Sequence, residues 1–165
     1  MNAGPGIERR MVLRIIKHWD ALRQDRLYPT PQELDPAVPP LSEFWHDCFM
    51  IVVAADASHS TFEYVGRTVL ELSQLPSDWH NQTPCSLQAC PQNTLLGRAV
   101  SYAGEVLEKS VPISRGDSFA DGEILVKYRS ILLPMSSDGR AVDRLFGAVN
   151  CLRVGADQTA PVQQS

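Results

Sequence analysis

Cys48-Phe49-Met50-Ile51-Val52-Val53-Ala54-Ala55 is apolar at every position. Side chains along a strand alternate between its two faces, so Phe49, Ile51 and Val53 point one way and Met50, Val52 and Ala54 the other. A strand apolar on both faces belongs inside a sheet that is covered on both sides. One other stretch has this character, Leu145-Phe146-Gly147-Ala148-Val149 continuing to Val154. The two are predicted to lie side by side at the centre of one sheet.

Working outward, residues 56–60 are a polar turn. Residues 61–69 alternate, with Phe62 and Tyr64 facing one way and Glu63 and Arg67 the other, which predicts a half-buried strand forming a hairpin with the first. Residues 70–83 are mixed, with short helical turns. Residues 92–109 carry Leu95, Leu96, Ala99, Val100, Ala103, Val106 and Leu107 at helical spacing, and Asn93 or Thr94 is placed to cap them. Three strands follow, over 111–118, 123–135 and 145–154. The first is short and polar, as suits an edge, and Asp138-Gly139 turns the chain between the last two. Before all of this, residues 7–27 form an amphipathic helix with Val12, Ile15, Ile16, Trp19 and Leu22 on one face and six basic residues over much of the rest. Pro29 and Pro31 end it.

The expected fold is therefore α+β. It is a five-stranded antiparallel sheet in the order 2-1-5-4-3, with intervening helices and an N-terminal amphipathic helix. The expected organisation is a helix and proline-rich connector over 1–40, one domain over 41–154, and a disordered tail over 155–165. The N-terminal helix is the long element left to cover the outer face of the sheet. Its apolar residues and Ile131 and Leu133 have complementary needs, which predicts an interface there, with a second copy of the chain as the partner.

Of 165 residues, 44% are hydrophobic and 21% charged, with a net charge of −4. That balance speaks against a broad nucleic-acid surface, which needs clustered cations. No apolar run approaches the ~20 residues of a membrane span. The N-terminus lacks the basic start and apolar run of a secretory signal, so the expected location is cytoplasmic, with Cys48, Cys85, Cys90 and Cys151 as free thiols.

Trp19-x-x-Leu22-Arg23, then Arg26, Pro29 and Asp35-Pro36, resembles the opening of a bacterial family of small single-domain PAS-like proteins. Phe62, Tyr64 and Gly66 look like that family's second strand. Tyr128-Arg129-Ser130-Ile131-Leu132-Leu133-Pro134-Met135, with Asp138-Gly139 and Leu145-Phe146-Gly147, looks like its last two strands. The resemblance runs from about residue 19 to 154 and lapses over 70–90, where PAS domains build much of their ligand pocket. It implies a stand-alone, non-enzymatic signalling adaptor or sensor that works through protein contacts, with a small molecule in an internal pocket and a homodimer formed through the flanking helix. Phe62, Tyr64, Leu96, Val100, Tyr102, Val126 and Tyr128 are the expected lining of that pocket.

Other chemistry has weaker support. Pro84-Cys85-Ser86-Leu87-Gln88 shares only Cys, Leu and Gln with the flavin-adduct motif of light-sensing PAS relatives. Residues 92–109 contain no histidine for the usual haem position. The cofactor is therefore left open. His80, Cys85 and Cys90 are spaced too widely for a structural zinc site, which prefers close cysteine pairs and four ligands. They define the alternative reading, a small enzyme or a metal or redox sensor. The sequence contains no nucleophile elbow, phosphate loop, metalloprotease or dinucleotide motif.

Overall fold

A computed structural model describes residues 3–81 and 85–155, with side chains from residue 9 onward. Of the expected tail over 155–165, residues 156–165 lie outside the described residues. The strands β1 (Cys48–Val52), β2 (Thr61–Val65), β3 (Ile113–Asp121), β4 (Ile124–Met135) and β5 (Arg144–Val154) form one sheet in the order β2-β1-β5-β4-β3. Every neighbouring pair is antiparallel. The two strands apolar on both faces, β1 and β5, are paired, with Phe49 opposite Gly147 and Met50 opposite Phe146. A Cβ on Gly147 would stand 2.3 Å from the Phe49 ring, so only glycine lets that ring lie flat across the neighbouring strand.

The outer face is covered by α1 (Ala3–Arg23). Met11, Val12, Ile15 and Trp19 are buried with Met50, Ile131, Leu133, Met135, Phe146 and Ala148 in one core cluster. The Trp19 indole Nε1 donates 2.9 Å to the Pro134 carbonyl, so the polar edge of this buried ring is satisfied. Burying four such side chains contributes on the order of 10 kcal/mol as an upper bound. The helix stops at Arg23 rather than running to residue 27. Gln24 takes a left-handed φ of 56°, and the Arg26 guanidinium donates to the carbonyls of Leu22 and Arg23. Arg26 thus satisfies carbonyls that a longer helix would have bonded internally.

The inner face is closed by α3 (Arg67–Leu72), α4 (Leu95–Ala99), α5 (Ala103–Lys109) and the loop between α3 and α4. Its core includes Phe49, Ile51, Phe62, Val65, Val69, Leu70, Leu95, Leu96, Val106, Leu132 and Val149. A short helix, α2 (Leu41–Phe44), leads into β1.

Three expectations are corrected here. The second strand ends at Val65, because Gly66 opens α3 instead. A Cβ on Gly66 would lie 2.2 Å from the His46 carbonyl oxygen, so the chain turns where only glycine fits. Second, Phe62 and Tyr64 do not share a face. The register shifts between Met50 and Ile51, so that Phe62 pairs with Ile51 but Tyr64 with Met50. The extra residue, Glu63, is a bulge that reverses the alternation. Third, the single helix over 92–109 is two helices. Ala103 N–H bonds the Val100 carbonyl, and the Ser101 hydroxyl donates 2.8 Å to the Arg98 carbonyl. These bonds, reaching back only three residues, tighten the turn and separate α4 from α5.

Candidate functional site

The break between α4 and α5 positions Tyr102. Its ring is buried, and its hydroxyl shares a 2.7 Å hydrogen bond with Ser130 Oγ on β4. Burial, offset in part by that bond, raises the Tyr102 pKa well above the ordinary phenol value. Arg115 lies over the ring at 5.3 Å and pairs with Glu105, which also binds Lys109 at 2.9 Å. Tyr102 is thus a fully used structural residue, pinning the helices to the sheet.

Two clefts open between the sheet and the elements that cover it. The first, of about 400 Å³, lies between the end of α3 (Leu72, Ser73, Gln74), the start of α4 (Asn93, Thr94, Leu95, Arg98) and the β3–β4 end of the sheet (Phe119–Gly122 and Arg153). The second, of about 530 Å³, is bounded by Leu87, Cys90, Gln92, Asn93, Gly97, Arg98, Val100, Ser101, Asp117 and Tyr128. Asn93 and Arg98 belong to both. Gly97 lets the preceding loop approach α4, since a Cβ there would sit 2.1 Å from the Pro91 carbonyl.

Arg98 is the group around which these clefts are arranged. Its guanidinium carbon stands 4.1 Å over the Phe119 ring. Phe119 in turn meets Tyr128 edge-on at 6.0 Å. Arg98 Nε is buried without a hydrogen-bond partner, and no carboxylate among the described residues pairs with the group. Arg14, Arg23, Arg26, Arg115, Arg144 and Arg153, by contrast, each hold a carboxylate. An arginine stays charged at any physiological pH, so its charge in a partly buried cleft calls for an acceptor.

Of the seven residues expected to line one apolar pocket, Phe62, Leu96, Val100, Tyr102 and Tyr128 share the inner core cluster. Val100 and Tyr128 do line the second cleft. Phe62, Leu96, Tyr102 and Val126 are packed in the interior. Tyr64 sits on the other side of the sheet, stacked on Trp45 at 4.9 Å. Its hydroxyl donates 3.1 Å to the Trp45 carbonyl, and burial pushes its pKa up to about 12. Arg98 and Phe119 were not singled out in the sequence, and Asn93 was read only as a helix cap. A cation on an otherwise apolar helical stretch was the one available signal, and it also describes any solvated arginine.

The expected interface residues meet one another within the single chain. Val12, Ile15, Trp19, Ile131 and Leu133 are buried together, Ile16 packs at their margin, and Leu22 is half-buried. His80, Cys85 and Cys90 do not converge as a ligand set. His80 lines a separate cleft beside β2 with His46, Tyr64 and Arg67. Cys85 Sγ donates 3.3 Å to the Trp79 carbonyl. Burial raises the Cys85 thiol and pushes Cys90 up to about 12, the opposite of what a reactive thiolate needs. Among the described residues, no group of three or more His, Cys, Asp or Glu is placed to hold a metal ion. No helix among them is long and apolar enough to cross a membrane. No protein-family model matches this chain, and no curated protein matches it.

Proposed function

We propose that this protein is a non-enzymatic signalling domain of PAS type, an adaptor or sensor that responds to a small molecule seated in the paired clefts at Arg98. The observation that carries the reading is the unpaired Arg98 guanidinium between two clefts on the helix-covered face of the sheet. Ligand pockets combine apolar walls with a few placed polar groups. Here Phe119, Val100 and Leu87 are the walls, and Arg98, Asn93, Gln92 and Tyr128 are the polar groups. Burial raises the pKa values of Cys85, Cys90, Tyr64 and Tyr102, so none of these four is an activated nucleophile. In this reading the signal leaves through protein contacts, within the bacterial cytoplasm. Any association of two copies uses surface other than the α1 side chains already buried on their own sheet.

A native mass spectrum of the purified protein tests this directly. A retained small molecule that is lost in Arg98→Met supports sensing. Sedimentation velocity at high micromolar concentration reads association. A chain that binds no small molecule from a metabolite extract and stays monomeric overturns both parts of the proposal.

A further inference from the structure

The two clefts differ in charge. The first is lined by Arg98 and Arg153 against Asp121 alone, leaving one positive charge. The second sets Arg98 against Asp117 and is balanced. In the first, Asp121 is already engaged by Arg153 at 2.9 Å and by the Gln74 amide at 3.4 Å. That leaves Arg98 without a carboxylate in the first cleft, and Asp117, which lines only the second, forms no ion pair with it among the described residues. Phe119 stabilises it through the ring face, but a ring supplies no acceptor for the guanidinium N–H groups. Gln74 reaches Asp121 from the left-handed position that ends α3, with φ of 59° and the Leu75 N–H bonded back to the Leu70 carbonyl.

We infer that the first cleft is an oxyanion seat, in which a carboxylate or phosphate group of a small ligand sits against Arg98 at the junction of α3, α4 and the β3–β4 turn. This rests on the small-molecule reading above and names the ligand's chemical class. A planar guanidinium presents paired donors that match both oxyanions, and its bonds to them are charge-assisted. Asn93 lies beside it as an additional amide donor. The rest of the ligand would occupy the second cleft along Val100 and Tyr128, which Arg98 and Asn93 join to the first.

The test is a titration of the isotope-labelled full chain, followed by amide and arginine side-chain resonances at constant ionic strength. The probes are sodium benzoate and inorganic phosphate, with chloride as reference. Saturable shifts of the Arg98 Nε–Hε resonance and of the Phe119–Gly122 amides are expected with one of them, and which one responds separates carboxylate from phosphate. Arg98→Met should weaken that binding about tenfold or more, as loss of a charged hydrogen bond implies. Arg98→Lys, which keeps the charge but not the fork, should fall between. The wild-type Arg98 resonance gives the answer even if a variant fails to fold. No saturable shift with either anion, or equal affinity in Arg98→Met, overturns the inference. A neutral molecule retained by the native protein, with no response to either anion, overturns the oxyanion seat and leaves the sensor reading intact. Saturable anion binding in a chain that retains no small molecule and binds none from a metabolite extract removes the sensor reading and leaves the seat.

Discussion

The outer face of the sheet is closed chiefly by one long helix, with Tyr28 of the connector and Leu41 of α2 at its edge, whereas the inner face is closed by three short helices and a loop. A long amphipathic helix offers one continuous apolar stripe and places its unpaired backbone groups only at its ends. Along α1 the result is a buried contact in which the Trp19 indole finds the Pro134 carbonyl. Three short helices multiply the ends, and each end needs polar partners. Ser73 Oγ accepts from Leu96 N–H at 3.0 Å, and Thr94 Oγ1 accepts from Gly97 N–H at 3.0 Å. The first cleft opens where α3 ends and α4 begins. The difference teaches that breaking a helical cover introduces both polarity and space at the edge of the sheet.

The largest test of this contrast is on the outer face. Trp19→Ala removes a fully packed indole and its hydrogen bond, for an expected loss of about 3–5 kcal/mol. At about 2–4 °C per kcal/mol for a chain of this size, the melting temperature should fall by roughly 6–20 °C. A fall of only a degree or two would show that α1 is not part of the core.

On the inner face, Gly97→Ala puts a methyl group 2.1 Å from the Pro91 carbonyl. The loop must retreat, at a cost of about 1–3 kcal/mol by analogy with overpacked cores. The same retreat should reshape the second cleft. Calorimetry showing an unchanged or more stable protein would mean that the loop is not seated against α4.

Tyr102→Phe leaves the buried Ser130 hydroxyl without its partner, and the expected loss is about 1–2 kcal/mol. Chemical denaturation should record it as a lower midpoint with an unchanged slope. The double change Tyr102→Phe with Ser130→Ala should recover part of that loss, and no recovery would mean the two hydroxyls are not coupled.

The smallest effect is electrostatic and sits where α2 leads into β1. Burial raises the pKa of Asp47 above its ordinary 3.8, with His46 opposing weakly. A raised carboxyl pKa means that the folded state holds its proton more tightly than the unfolded chain does. Its contribution is most favourable below pH 3.8 and is lost as pH rises through the folded-state value. Asp47→Asn should therefore stabilise the protein slightly at neutral pH, with the gain vanishing in acid. Melting curves at two pH values check this, and a gain that grows toward acid would reverse the sign of the argument.

The sheet was legible from the sequence because side-chain alternation is a local property. Two strands apolar on both faces could satisfy both only at the centre, and strand order followed. The need to bury Val12, Ile15 and Trp19 was equally plain from helical spacing, and their own sheet meets it. The bulge at Glu63, the break between α4 and α5, and the turn at Gly66 were not legible. Each depends on what the backbone meets elsewhere: β1 across the hairpin, Ser130 beneath Tyr102, the His46 carbonyl beside Gly66. The cleft at Arg98 belongs with these. Phe119, Asp121 and Arg153 reach it from 21 to 55 residues further along the chain. Periodicity determines which side of an element is apolar, but only long-range packing decides which charge is left without a partner.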